Sequence, residues 1–428
     1  MKNTISWGNL PVKKKIEKID FNHRIFQNKK NKLLTYGNGR SYGDVCQNNF
    51  LINLESLDKF IEIDQETNTL TCSANLTLKE ILKEIIPLGY FLPVVPGTQN
   101  VTIGGAIAND IHGKNHHTAG SFGNYVKEME LLRSDIGKII CDNSNHSSLF
   151  YSTIGGLGLT GIILSVKIEL KKISSKKIRS ISKTFKSFEE YVSLNKEIEN
   201  KFEYCVGWVD LLNIRKKQFR GIILAGNHLE EDNDEISVKN NLEFNFPFVP
   251  SFSLVNKLSL YFLNYFYFYT GKRKSEKITN YKGFFFPLDI VNYWNKAYGK
   301  KGFFQYQFVV PNENANNFFR EFVNELKNCN ETPALTVLKS FGPVPSLGTI
   351  SFPREGVTMA IDFPNKGIGT LNFMRALDDI VIKNNGALYP AKDARMSKNT
   401  FIKSFPNHNK FKENIDPKMT SFFWERVK

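Results

Sequence analysis

Residues 102–124, TIGGAIANDIHGKNHHTAGSFGN, crowd glycines against His112, Lys114, His116 and His117. Glycine admits close approaches and backbone angles that any Cβ would forbid, so such a run suits main chain wrapped around a large ligand. The ring nitrogens and the ammonium add groups that can move protons or meet charge. The same side chains could hold a metal, but metal sites want ligands on a rigid frame with carboxylate or thiolate company. Asp110 alone is thin support, and no metal is expected. A second glycine stretch, YGNGRSYGD at residues 36–44, lets successive N–H groups converge on an anion. Arg40 and Ser41 could add to that nest, and a tight turn between strands is the alternative. A third, GGLGLTG at residues 155–161, has the G-x-G-x-x-G spacing of dinucleotide sites. A strand-like IILSVKIEL follows it at once, and no acidic residue stands at the ribose-binding distance, which excludes a Rossmann unit.

Further along, Gln305 and Gln307 in GFFQYQFVV are two apart and share one face if the segment is a strand. That face is either a pocket wall or a solvent face. Lys339 and Phe341 in VLKSF share a face in the same way.

The elements that must position these groups follow from periodicity. Residues 50–72 read as short strands alternating with turns. LTLKEILKEIIPLGYFLP is an amphipathic helix ended by Gly89 and Pro93. VKEMELLRSDIGKIICDN predicts a hairpin around SDIGK, and GIILSVKIELKKI a β-branched strand. The basic run KKISSKKIRSISKTFKSFEEY marks a boundary near residue 175. Beyond it, residues 176–386 alternate strands (YCVGWVDLL, FRGIILAG, GFFQYQFVVP, GVTMAIDFP) with helical patterns (NNFFREFVNELKN, GTLNFMRALDDIVIKNNG), an α+β unit. Residues 387–428 form a C-terminal segment.

Bulk properties bound the rest. A chain of 428 residues suits two domains, and 41% hydrophobic content is ample for packed cores. The balance of 57 basic to 42 acidic residues gives +15 and favours anionic partners. With no nucleic-acid-binding signature and the charge spread along the chain, nucleic acid is not expected. Cys46, Cys72, Cys141, Cys205 and Cys329 form no C-x-x-C pair, which fits a reducing cytoplasm. The N-terminal segment lacks the apolar run of a secretory signal.

One stretch stands apart. Residues 244–277 include an uncharged run of 14 residues, 258–271, shorter than the ~20 a spanning helix needs. It packs seven aromatics into residues 261–269 and is flanked by Lys257, Lys272, Arg273, Lys274 and Lys277. That composition suits an interfacial segment; a buried core helix is the alternative.

The three glycine stretches in this order, with AYGKKGFFQYQFVVP, VLKSFGPVPSLGTISFPREGVTMAIDFP and LYPAKDARMSKNTF beyond them, resemble the vanillyl-alcohol-oxidase-like flavoproteins with a PCMH-type FAD-binding domain. Among these the pattern is most similar to the branch that oxidises ribose carried on a polyprenyl phosphate. The resemblance covers most of the chain. It implies an α+β fold with a PCMH-type FAD-binding domain over residues 1–175, a substrate domain with an antiparallel sheet over 176–386, and a return of 387–428 to the first domain.

It also implies site residues. The first loop, from Thr35, Tyr36, Gly37, Asn38 and Gly39 through Arg40, Ser41 and Tyr42 to Gly43, Asp44 and Val45, would wrap the FAD pyrophosphate. The second would supply Gly97, then Thr102, Ile103, Gly104 and Gly105, with Asn109, Asp110, Ile111 and His112 continuing beneath the flavin ring. Ile162 or its neighbour Ile163 would meet the adenine end. Many relatives carry a flavin-linking histidine where Arg40 stands, so non-covalent FAD is expected. On the substrate side the resemblance points to Lys114, Gln305, Gln307, Lys339, Phe341 and Lys392, with Trp208 and Tyr42 weaker candidates. Tyr389, Lys392 and His112 would be catalytic. A lysine at its ordinary pKa of ~10.4 is a poor base, so a proton-accepting Lys392 needs burial or positive neighbours, whereas an orienting one does not.

The implied reaction is oxidation of the sugar's 2′-hydroxyl to a ketone. A separate NAD(P)H-dependent short-chain reductase would complete epimerisation to the arabino lipid. The enzyme would sit in the cytoplasm, peripheral to the membrane surface, with the aromatic segment reaching the lipid. Two alternatives remain open: a sugar or alditol oxidase using oxygen on a soluble substrate, and a basic membrane-binding protein with a vestigial flavin fold.

Overall fold

A computed structural model describes residues 6–12, 14–27, 31–214, 219–231, 243–273 and 276–428. A three-stranded parallel sheet orders Glu17–Asp20, Phe50–Asn53 and Leu34–Tyr36 side by side. A five-stranded antiparallel sheet follows, in the order Ile61–Asp64, Thr69–Ser73, Ile162–Glu169, Val126–Arg133, Gly137–Asp142. The expected hairpin is its edge, turning at Gly137 with φ +73°. The expected helix is Leu78–Ile85. Thr77 caps it reciprocally with Glu80, and Leu78, Ile81, Leu82 and Ile85 are buried at helical spacing. Gly89, at φ +79°, ends the following turn.

An eight-stranded antiparallel sheet follows. Its order is Glu276–Asn280, Lys177–Phe185, Arg220–His228, Tyr204–Asp210, Thr336–Phe341, Gly356–Pro364, Phe303–Val310, Ala387–Leu388. The basic run contains a strand, Lys177–Phe185, paired on both sides, so this sheet begins just past residue 175. Ile178 and Ser180 alternate with Arg179 and Ile181, and burial of the even positions outweighs the charges on the odd ones.

Every residue of Phe303–Val310 is buried. Phe304, Tyr306 and Phe308 belong to the main core, with Phe308 packed on Phe318 of the helix Ala315–Asn328 at 4.5 Å. The alternate face carries Gln305 and Gln307. Registry then fixes their neighbours: Gln305 lies opposite Asp362, Gln307 opposite Ala360, Ala360 opposite Val337, and Thr358 opposite Lys339. Cross-strand partners point the same way, so these side chains share one face of the sheet. Trp208 pairs with Val337 and Ile222 with Trp208, which extends that face outward.

The aromatic stretch forms the helix Lys257–Arg273. Leu260, Asn264 and Phe268, four apart, are buried. Asn264 donates to Asp210 at 2.8 Å, and Tyr267 lies 4.8 Å from Trp208, centroid to centroid. The helix thus covers the outer part of the sheet face that carries the glutamines. Leu258, Phe262, Leu263 and Phe266 are each more than half exposed. Lys274 lies outside the described residues. No helix among the described residues is long and apolar enough to cross a membrane.

Candidate functional site

The three glycine stretches converge. A Cβ on Gly37 would lie 2.6 Å from Thr102 Oγ1, so the first loop can touch the second only as glycine. Thr102 caps the short helix Ile103–Ala108, whose start is tied to the five-stranded sheet by Ile103 N–H to Leu76 O at 2.8 Å and Gly104 N–H to Ala74 O at 3.0 Å. The third stretch fastens to the far end of that helix, through Gly155 N–H to Ile107 O and Leu157 N–H to Ala108 O.

Between them and the glutamine face of the large sheet lies a cleft with a cavity volume of about 320 Å³, within the usual range of ligand sites. Thr35, Gly37, Asn38, Gly39, Arg40, Ser41, Tyr42 and Val45 line it from the first loop. Gly97, Thr102, Gly104, Gly105, Asn109, Ile111 and His112 line it from the second. Gln305, Gln307, Lys339, Tyr389 and Lys392 close the other side. Ile163 reaches the cavity, and Ile162 turns into a small core beside Leu132.

Seven other expected residues stand behind the lining. Tyr36 is half-buried beneath Lys18, whose Nζ is 4.3 Å from the ring centroid. Gly43 abuts the main chain of Asp393 and Ala394. Asp44 is an ion-pair partner of Arg426. Ile103 is core. Asp110, fully buried, accepts from Ser121 Oγ at 2.9 Å and Gly123 N–H at 2.8 Å, which pins the second loop at its φ of +40°. Lys114 donates to Phe285 O at 3.0 Å instead of facing the cavity. Phe341 backs the histidines, 4.8 Å from His112 and 4.1 Å from His116.

Lining that the sequence did not disclose includes Trp7, Trp294, Asp289, Thr358 and Ala360. Trp7 stacks under the Arg40 guanidinium at 4.2 Å. Nothing in its isolated N-terminal position signalled this.

His112 is held at both nitrogens. Gln307 Nε2 lies 2.9 Å from its Nε2, and Lys339 Nζ lies 2.8 Å from its Nδ1. An amide nitrogen only donates, so with the amide so turned Nε2 accepts and the ring proton sits on Nδ1. Lys339, which also donates to Gly113 O at 3.1 Å, then accepts as a neutral amine. Burial first, and the Lys114 and Lys392 charges next, push the Lys339 pKa well below the usual lysine range. Burial likewise holds His112 neutral.

Lys392 sits in the turn Pro390–Lys392. Its Nζ lies 4.0 Å from the Tyr42 ring centroid, and burial brings its pKa down to about 8. The turn is fastened on three sides. Tyr42 N–H donates to Ala391 O at 2.9 Å. Tyr389 OH donates to Asn109 O at 2.8 Å. Arg426, in the helix Phe422–Val427, bridges Asp44 at 2.8 Å and Asp393 at 3.1 Å.

The cleft suits a dinucleotide with a flat ring. Thr35 Oγ1, Arg40 Nε and Asn109 Oδ1 are buried without a protein partner, and unpaired buried polar atoms are costly unless a ligand meets them. Beside Gly97 there is open space where a Cβ would stand.

Residues 15–141 match the family described as FAD binding domain. The chain is 34% identical over 400 residues to decaprenylphosphoryl-beta-D-ribose oxidase of Mycolicibacterium smegmatis, covering 90% of this chain and 86% of that protein. It is 26% identical over 361 residues to an uncharacterized protein in the mprA 5′ region of Streptomyces coelicolor, covering 80% and 96%. L-gulonolactone oxidase of Mus musculus is 27% identical over 146 residues, covering 33% of this chain and 32% of that one.

Proposed function

The chain belongs to the decaprenylphosphoryl-beta-D-ribose oxidase family of FAD-dependent oxidoreductases acting on CH–OH donors, and from that premise we propose that it oxidises the 2′-hydroxyl of a ribofuranose carried on a polyprenyl phosphate. The observation that carries this reading is the single cleft shared by the glycine loops, the Gln305–Gln307 face and Lys392.

Bound FAD supplies the hydride acceptor that alcohol oxidation needs. The orphaned Thr35, Arg40 and Asn109 atoms would take its polar groups, and Gly39, Gly97 and Gly104 would let main chain lie against it, without a covalent link. Gln305 and Gln307 orient the sugar. Lys392 holds the reacting hydroxyl and, as its neutral fraction grows toward pH 8, takes the proton released when the C–H bond breaks. The product ketone then requires a reductase, an NAD(P)H-dependent short-chain enzyme, to give the arabino epimer.

The helix Lys257–Arg273 supports delivery of the lipid. It extends the cavity-side sheet face, and Leu260 packs with Tyr42 and Trp294 of the cavity wall. Its exposed Leu258, Phe262, Leu263 and Phe266 form an apolar surface, with Lys257 and Lys272 at either end for anionic headgroups. Phe262→Glu with Phe266→Glu should weaken binding to phosphatidylglycerol vesicles at least tenfold, since each phenylalanine contributes about 1.5–3 kcal/mol when buried. Flavin content should not change. Equal vesicle binding by this variant in sedimentation would remove the helix from lipid contact.

The test of the function itself is anaerobic mixing with polyprenylphosphoryl ribose. Loss of the yellow absorbance within the mixing experiment is the expected result. No loss with the lipid, together with peroxide release from free pentitols in air, would replace the reading by a soluble alditol oxidase.

A further inference from the structure

One carboxylate stands behind the cavity wall. Asp362 is fully buried on the strand Gly356–Pro364, opposite Gln305 in register. Its Oδ1 accepts from Gln305 Nε2 at 2.6 Å, and its Oδ2 accepts from Tyr298 OH at 3.0 Å. Tyr42, which lines the same cavity as Gln305, is the ring beneath Lys392 Nζ, at 4.0 Å. Tyr298 is itself fixed by stacking on Phe303 at 3.9 Å.

We propose that Asp362 is a positioning residue for the oxidation: it locks the orientation of Gln305 and serves as the countercharge of Lys392, although it touches neither substrate nor cofactor. An amide nitrogen has two hydrogens. With that nitrogen turned onto Asp362, Gln305 leaves its carbonyl oxygen for the cavity it lines. That makes it an acceptor for a sugar hydroxyl.

The charge argument runs through the same atoms. Burial is the main influence that depresses Lys392, and the Asp362 charge opposes it. Burial raises Asp362 to about 7, while Gln305, Tyr298 and the Lys392 charge act against that rise. The other titratable groups facing the pair are Tyr42 on the first loop, Tyr298 before the strand Phe303–Val310, Lys339 on the strand Thr336–Phe341, and His112 on the second loop. Tyr42 and Tyr298 have phenol pKa values pushed well up by burial, and His112 is kept neutral. Removing the Asp362 charge therefore lowers the pH at which Lys392 gives up its proton.

The measurement is competitive acylation of the holoenzyme with acetic anhydride across pH, read at the Lys392 peptide by mass spectrometry. Wild type should show a midpoint near 8. Asp362→Asn should lower it by about one pH unit, the low end of the effect of losing a nearby opposite charge, and Asp362→Glu should restore part of the shift. Tyr298→Phe removes one donor to Asp362, and should move the midpoint the same way by less. It covers the case in which Asp362→Asn does not fold. An unchanged Lys392 midpoint in the folded variants overturns the proposal. The inference rests on the oxidase reading for its purpose, yet acylation uses no substrate. A shifted midpoint in an enzyme that the ribose lipid does not reduce would sustain Asp362 and overturn the substrate instead.

Discussion

Replacing Lys392 by methionine is expected to slow anaerobic reduction of the bound flavin by polyprenylphosphoryl ribose about 10²–10⁴-fold, the span of a lost proton-transfer group. FAD content should remain that of the wild type. The reasoning is local. The turn that carries Lys392 is held through main chain at Ala391 and through the Tyr389, Asp393 and Arg426 side chains, none of which depends on the lysine head group. Methionine is similar in length and lies comfortably over the Tyr42 ring, so the substitution removes the nitrogen and little else. Stopped-flow absorbance gives the rate, and the protein-bound flavin spectrum gives the occupancy. Reduction at the wild-type rate would move proton handling to the neutral Lys339 amine beside His112, another basic nitrogen in the cleft.

Gly43→Ala is expected to yield protein largely without cofactor. The position is demanding for lack of space, since its φ of −124° is one any residue adopts. A Cβ there would lie 1.8 Å from Asp393 O, 2.6 Å from its carbonyl carbon and 2.8 Å from Ala394 Cα. All three are main chain, which cannot rotate aside as a side chain can. The first loop must part from the Lys392 turn, and that breaks the Tyr42–Ala391 hydrogen bond and strains the Asp44–Arg426–Asp393 bridge. Overpacking of this kind costs about 1–3 kcal/mol or more, and the displaced loop is one wall of the cleft. Gly137→Ala is the control. It also changes a glycine, but with nothing within 4 Å of the new Cβ, so only its left-handed φ is penalised. The ratio of flavin to protein after gel filtration, with a melting curve for each variant, decides the matter. Full occupancy in Gly43→Ala would mean that the two loops need not touch.

Where burial alternates regularly, the sequence was a sound guide. The amphipathic helix Leu78–Ile85, the hairpin at Gly137 and the shared face of Gln305 and Gln307 all follow from spacing. The glycine loops were legible because their backbone demands leave a compositional trace. Within the basic run near residue 175, lysine and serine counts hid a two-residue period of Ile178 and Ser180, so the strand there was not read. The resemblance placed Lys114 on the substrate side, but its ammonium finds the Phe285 carbonyl, a contact across 171 positions that no local pattern encodes. Trp7 and Trp294 reach the cleft only through tertiary packing, which no local pattern encodes. Asp362 did leave a trace, as a lone acid within the apolar strand GVTMAIDFP. A charge buried among β-branched residues has to be answered by specific partners.

The Arg426 bridge bears on how the enzyme is made in the cell. Asp44 and Arg426 are 382 positions apart, so the first loop gains this support only after nearly the whole chain has been translated. Ribosome-bound nascent chains carrying the three-, five- and eight-stranded sheets, but not yet this arginine, would have most of the fold and no finished berth for the cofactor. Loading of the vitamin-derived group is then a late event in biogenesis, and contacts this distant in sequence form slowly.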